Sequence, residues 1–196
     1  MPDKVPTLVE SGLLNGGKRS VIASELGPGS TTFPHYHKTF TETFHLHSGS
    51  LTIFAAPEGV KDADAMREAN LPVGESAAIP QSTAHYFLAG EGGAAVTVTF
   101  EPAAVGFERT VLIMRGLQED DEYRSWGVGA NEENAMFVSV LSELTDSHPL
   151  TANDAEMIGK QDREGHEKLK GELIGRYATD DMLKEAVAKN AAAASA

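Results

Sequence analysis

The chain contains no cysteine. That excludes disulfides, zinc ribbons, iron–sulfur clusters and thiol nucleophiles together. Aromatic residues make up only 7% of 196 positions, with one tryptophan, and cations are scarce: 16 Lys and Arg stand against 29 Asp and Glu, a formal net charge of −13. Such a chain lacks the basic face that nucleic acid requires and is repelled by anionic membrane surfaces. No stretch approaches the roughly 18 consecutive apolar residues of a membrane-spanning helix. The opening Met-Pro-Asp-Lys-Val-Pro lacks the apolar run of a secretory signal. The expected partner is therefore a small molecule, not nucleic acid or a membrane, and the expected setting is the cytoplasm.

Proline is nearly absent from the second half: eight of the nine prolines lie at or before Pro102, and only Pro149 follows. Up to that point short runs alternate apolar and polar residues, the signature of half-buried strands. Strands are expected at Lys18–Ala23, Phe33–His37, Glu42–His47, Leu51–Ala56, Ser76–Ile79, Thr83–Phe87 and Ala94–Glu101, separated by glycine- and proline-rich turns. Beyond it the periodicity becomes helical. Val105, Val111, Leu112 and Leu117 share a stripe, as do Met136, Phe137, Val140, Leu141 and Leu144. A third helix is expected from Thr151 or Asn153 to about Tyr177. Thr179 caps a last one with Asp180 and Asp181 in its first turn, where the helix dipole favours acids. The expected organisation is a β domain over 1–102 and an α-helical extension over 103–196 that packs on the sheet, covers a pocket mouth or builds a dimer.

Five of the seven histidines fall between His35 and His85. Residues two apart on a strand face the same way, so His35 and His37 project together. If Glu42 and His85 sit on neighbouring strands facing that side, three imidazoles and one carboxylate converge, a donor set suited to divalent iron, manganese, nickel, cobalt or zinc. His45 and His47 stand an odd number of residues from Glu42 and are expected on the opposite sheet face. His148, before Pro149, and His166, on a polar helix, are expected at the surface.

Two stretches resemble the motifs of the cupin superfamily. The first is carried by Gly29, His35, His37, Glu42 and Gly49, the second by Gly74, Pro80 and His85. The second departs from the family pattern at Ser82, where glycine is usual, and at Ala89, where asparagine is usual. The resemblance covers about residues 18–102. It implies a mainly β fold, an antiparallel jelly-roll-like β-barrel, with a metal held near one mouth by His35, His37, Glu42 and His85, often in a homodimer.

The same strand parity places Phe33, Phe44, Leu46 and Phe87 on the inward face, predicting apolar, aromatic pocket walls. The inward set contains no cation, which disfavours strongly anionic substrates. Three function classes follow. One is an oxygenase, with Fe(II) favoured and a small apolar, aromatic or enolic substrate; Glu42 is then a ligand that, on dissociating, becomes a catalytic base. The second is a redox-neutral metal-assisted isomerase, cyclase or lyase, and the third a small-molecule-binding protein without catalysis.

Overall fold

The computed structural model describes residues 5–120, 135–151 and 159–194. Eight strands are β1 (Thr7–Glu10), β2 (Ser20–Leu26), β3 (His35–Tyr36), β4 (Thr41–Ala55), β5 (Arg67–Leu71), β6 (Ser76–Ile79), β7 (His85–Glu101) and β8 (His148–Pro149). The helices are α1 (Gly12–Asn15), α2 (Val105–Glu119), α3 (Ala135–Leu144), α4 (Arg163–Tyr177) and α5 (Asp180–Ala194).

The spine of the sheet is the antiparallel pair β4 and β7, matched from Thr41↔Glu101 to Ala55↔His85. Its register shifts between Leu46 and Ser48 and again between Gly49 and Leu51. Gly49 and Gly93 both adopt left-handed backbone there (φ 82° and 74°), and a Cβ on Gly49 would collide with the Gly93 carbonyl. Only glycine permits that approach. One end of the spine pairs with β2 and β6, the other with β3 and β5. The inner faces of the two halves share one buried cluster, with Phe44, Leu46, Ala94 and Val96 from one and Leu51, Ile53 and Ala89 from the other.

The antiparallel β fold is thus the expected one, with three differences in detail. The strands expected at Glu42–His47 and Leu51–Ala56 are a single bent strand, as are those expected at Thr83–Phe87 and Ala94–Glu101, because the bend breaks the alternation without breaking the ladder. Among the described residues no ladder joins β1 or β8 to β5 or β6, so the sheet stays open rather than closing into a barrel. Strand β5 had no alternating signature to betray it: Arg-Glu-Ala-Asn-Leu is an exposed edge held by backbone pairing.

The helices do not form a separate core. Leu8, Ile22, Phe40 and Phe100 from the sheet side are buried in one cluster with Val111, Leu112, Ile113 and Leu117 of α2, Phe137 and Val140 of α3, and Leu173 of α4. The helix expected to reach Tyr177 is interrupted: residues 159–161 are helical, and after Asp162 α4 begins at Arg163, capped by Asp162, whose side chain accepts the Gly165 N–H. The start expected at Asn153 lies outside the described residues, as do Asp121 and Glu122 of the acidic run after α2.

Two polar anchors fix the helices. Glu108 of α2 is fully buried, and its carboxylate accepts hydrogen bonds from the Ser11 hydroxyl (2.5 Å), the Gly12 N–H (2.8 Å) and the Ser20 hydroxyl. Each donor belongs to the segment from β1 to β2, so one carboxylate staples that segment to α2. On the surface, Glu143 bonds Arg163 and Lys170 (2.7 and 2.6 Å), and Glu167 bonds the same two cations, closing a ring that clamps α3 to α4. Partial burial pushes the Glu143 carboxyl up, but the hydrogen bonds from Arg163 and Lys170 outweigh it and bring it down to about 2.

Replacing Glu108 by alanine strands three buried donors and is expected to cost about 3 kcal/mol in denaturant unfolding, whereas an exposed control such as Glu185→Ala changes stability by less than about 0.5 kcal/mol. For Glu143 the folded value lies below the ordinary 4.5. Its stabilising contribution is therefore complete above that pH and is lost as the pH falls toward 2. The difference in Tm between the native protein and Glu143→Gln is expected to be largest near neutrality and to shrink below pH 4.5.

Candidate metal centre

The structure brings His35, His37, Glu42 and His85 together, all four buried, with one ligand atom of each within 4.8 Å of the others. His35 on β3 lies directly opposite His85 on β7. Glu42, on the other arm of the bent spine, pairs with Phe100 and Ile79. The bend therefore carries Glu42 across to His85. Its Oε2 lies 2.9 Å from His85 Nε2 and 3.4 Å from His37 Nε2, and His35 Nε2 lies 3.2 Å from His37 Nε2.

The tautomers follow from the partners on the far side of each ring. The Nδ1–H of His35 donates to the Phe33 carbonyl (2.7 Å), that of His85 to the Thr83 carbonyl (2.9 Å) and that of His37 to the Asp146 carbonyl (3.1 Å). A carbonyl accepts only, so each Nδ1 carries a proton; the Nε2 atoms of His35 and His37 face the centre bare, and that of His85 is hydrogen-bonded to Glu42. Two such Nε2 atoms 3.2 Å apart, those of His35 and His37, direct lone pairs at each other. A cation between them removes that repulsion. Ligands about 2.1 Å from a metal and at right angles around it stand about 3.0 Å apart, in line with these separations. The donor set fits a divalent metal.

Burial and the facing His85 and His37 push the His35 imidazole down to about 4, so it is neutral and able to coordinate at neutral pH. Burial pushes the Glu42 carboxyl up, but the facing imidazoles of His37 and His85 outweigh it and hold it well below the usual carboxylate range. Burial pulls His85 down, and its hydrogen bond to Glu42 outweighs that and raises it. The cluster is thus ready to exchange a proton for a metal ion.

A cavity of about 240 Å³ opens beside the ligands. Phe33, Phe44 and Phe87 line it with Ile22, Val96 and Val98, and no Lys or Arg is among the lining residues. Phe33, 48% exposed, stands at the mouth with its ring 5.2 Å from His35. Leu46 corrects an expectation. It faces inward but is fully buried at the bend, packed in the cluster of Leu51 and Ile53, and does not line the cavity. Parity fixes direction but not depth.

His45 and His47 lie on the opposite face, as expected, hydrogen-bonded to the hydroxyls of Ser76 and Thr97. His148 and His166 differ from expectation. His148 is half-buried, its ring stacked on Tyr36 at 5.1 Å and its Nε2 bonded to Asp146 (2.7 Å). His166 is 1% exposed. It occupies the buried face of α4 with Leu169 and Leu173, a spacing of three and seven visible in the sequence but masked by the charged residues between. With Glu143 and Glu167 it forms a second cluster of metal-binding residue types, but Arg163 and Lys170 already satisfy those carboxylates.

Sequence reasoning missed the contribution of residues 145–149. Thr145 and Ser147 line the cavity, the Asp146 carbonyl supports His37, and β8 pairs with β3. The only local signal is an Asp-Ser-His-Pro turn, which says nothing of where it docks.

The family model described as Cupin matches residues 8–134, running past Pro102 into the helices. The sequence has no match among curated proteins. Among solved structures, the chain is similar to KdgF from Halomonas sp., at 16% identity and a TM-score of 0.41, over 50% of this chain and 78% of that one. It is also similar to a variant of the oxalate decarboxylase OxdC from Bacillus subtilis, at 20% identity and a TM-score of 0.41, over 50% of this chain and 24% of that one. A third similarity is to the DMSP lyase DddQ from Ruegeria pomeroyi DSS-3, at 12% identity and a TM-score of 0.36, over 43% and 39% of the two chains.

Titration of the full chain with Co(II) is expected to show one site per chain. His35→Ala, His37→Ala and His85→Ala should each weaken it by more than about 100-fold, beyond the usual effect of losing a group that only supports a ligand.

Proposed function

The chain belongs to the cupin family, and from that premise we propose that it is a metal-dependent oxygenase acting on a small apolar, aromatic or enolic molecule. The observation that carries this reading is the union of a buried three-histidine, one-carboxylate cluster with an apolar cavity free of lining Lys or Arg. When bound there, a divalent metal supplies Lewis acidity and, as Fe(II), redox chemistry with oxygen. Manganese, nickel, cobalt and zinc match the same donor set.

The remaining work falls to the protein. Phe44 and Phe87, edge-on at 5.8 Å, form a wall against which a flat ligand packs, and Phe33 lies across the mouth. A cavity of about 240 Å³ lies below the range of drug-sized sites, favouring a compact ligand. The Thr32 hydroxyl, buried in the lining without a hydrogen-bond partner, is a polar handle for a ligand hydroxyl or carbonyl. The scarcity of cations disfavours a dianionic substrate, which would enter without a countercharge. Glu42, held ionised by His37 and His85, suits a ligand better than a base.

The test is reconstitution with Fe(II) under anaerobic conditions, followed by oxygen-uptake measurements over a panel of phenolic and enolic compounds. Substrate-dependent oxygen consumption that disappears in His85→Ala is expected. Turnover with Zn(II) and no oxygen consumption would replace this reading with a redox-neutral isomerase, cyclase or lyase. Ligand binding that survives His35→Ala, without turnover, would make the protein a binding module.

A further inference from the structure

We infer that Asp146, in the turn between α3 and β8, is a positioning residue for His37; the inference rests on the reading of the four-residue cluster as a metal centre. His35 and His85 are oriented locally, each donating its Nδ1–H to the carbonyl two residues before it. His37 is not. Its Nδ1–H donates to a carbonyl 109 residues away, that of Asp146.

That carbonyl is held in place by its own side chain. Oδ2 of Asp146 accepts the Lys38 N–H (2.7 Å), the Thr39 N–H (2.8 Å) and the Thr39 hydroxyl (2.8 Å). These donors belong to the two residues directly after His37. Oδ1 accepts from His148, whose ring stacks on Tyr36, the residue directly before His37. The pairings His35↔Pro149 and Tyr36↔His148 complete the clamp. Asp146 adopts φ 50°, a left-handed conformation that few residues other than glycine, asparagine and aspartate accept readily. One residue thus grips the ligand segment through its side chain and aims the imidazole through its main chain. The helical extension thereby sets the geometry of the metal centre and does more than cover it.

The consequence is measurable on the metal alone. Co(II) is titrated into the full-length chain, with affinity read by chelator competition and ligand geometry by the visible absorption bands. Asp146→Gly keeps the left-handed backbone free of strain and removes the carboxylate; it is expected to weaken Co(II) binding about ten- to hundred-fold and shift the bands. Asp146→Asn retains an acceptor oxygen and tolerates the backbone; it is expected to restore the native spectrum and most of the affinity. A folded Asp146→Gly protein with native affinity and spectrum would overturn the inference, even if its Tm were lowered, since a merely structural role moves only the Tm. Should that variant not fold, the exposed Thr39→Val decides. Removing one of the three anchors should give a smaller loss of affinity with shifted bands, and an unchanged site would overturn the inference. A native protein that binds no Co(II) would sink the metal reading itself, and this inference with it, before any variant is compared.

Discussion

The bend in the β4–β7 ladder is the constraint on which the rest of the molecule depends. Two glycines at positive φ let the backbones of Gly49 and Gly93 meet, and the register shifts beside them turn one long two-stranded ladder into two facing halves. Glu42 and His85 sit on different arms of that spine, so their hydrogen bond exists only because the spine folds over. The buried cluster at the bend and the apolar cavity above it are consecutive layers of the same interior. A side chain at Gly49 would therefore disturb the site without touching it.

Within that interior, most polar groups survive by being engaged in hydrogen bonds. Burying a carboxylate or an imidazole is costly unless its hydrogen-bonding capacity is met. Glu108 meets it with three donors from one segment and so joins α2 to the sheet. His85 meets it on both sides, with the Thr83 carbonyl and with Glu42, whereas His35 and His37 meet it on one side only: each Nδ1–H has a carbonyl, and the two Nε2 atoms face each other. The contrast separates structural from functional burial. Glu108 is complete as it stands, whereas the histidine cluster, with His35 and His37 lone pairs opposed at 3.2 Å, is complete only with a cation.

The helical segment is integral to this arrangement. Its apolar stripes fill the core with Phe40 and Phe100, Phe107 and Thr145 reach the cavity, and Asp146 supports His37. Where chain composition changes at Pro102, the packing does not. Glu108 apart, the acidic residues of the described helices stay at the surface, partly neutralised by the ring of Glu143, Arg163, Glu167 and Lys170.

The sequence by itself determined the period-two strands and the directions of the side chains along them, because parity on a strand is a local property; through its resemblance to the cupin motifs it also predicted the grouping of His35, His37, Glu42 and His85, which the bend of the spine brings about. It also placed Phe33, Phe44 and Phe87 inward and His45 and His47 outward. Only the tertiary structure decided depth, which removed Leu46 from the cavity, and docking, which buried His166 and brought Asp146 to His37 across 109 residues. Those outcomes depend on how separate elements meet. The charged residues flanking His166 and the featureless turn at Asp146 carry no periodic trace of the partner each one finds.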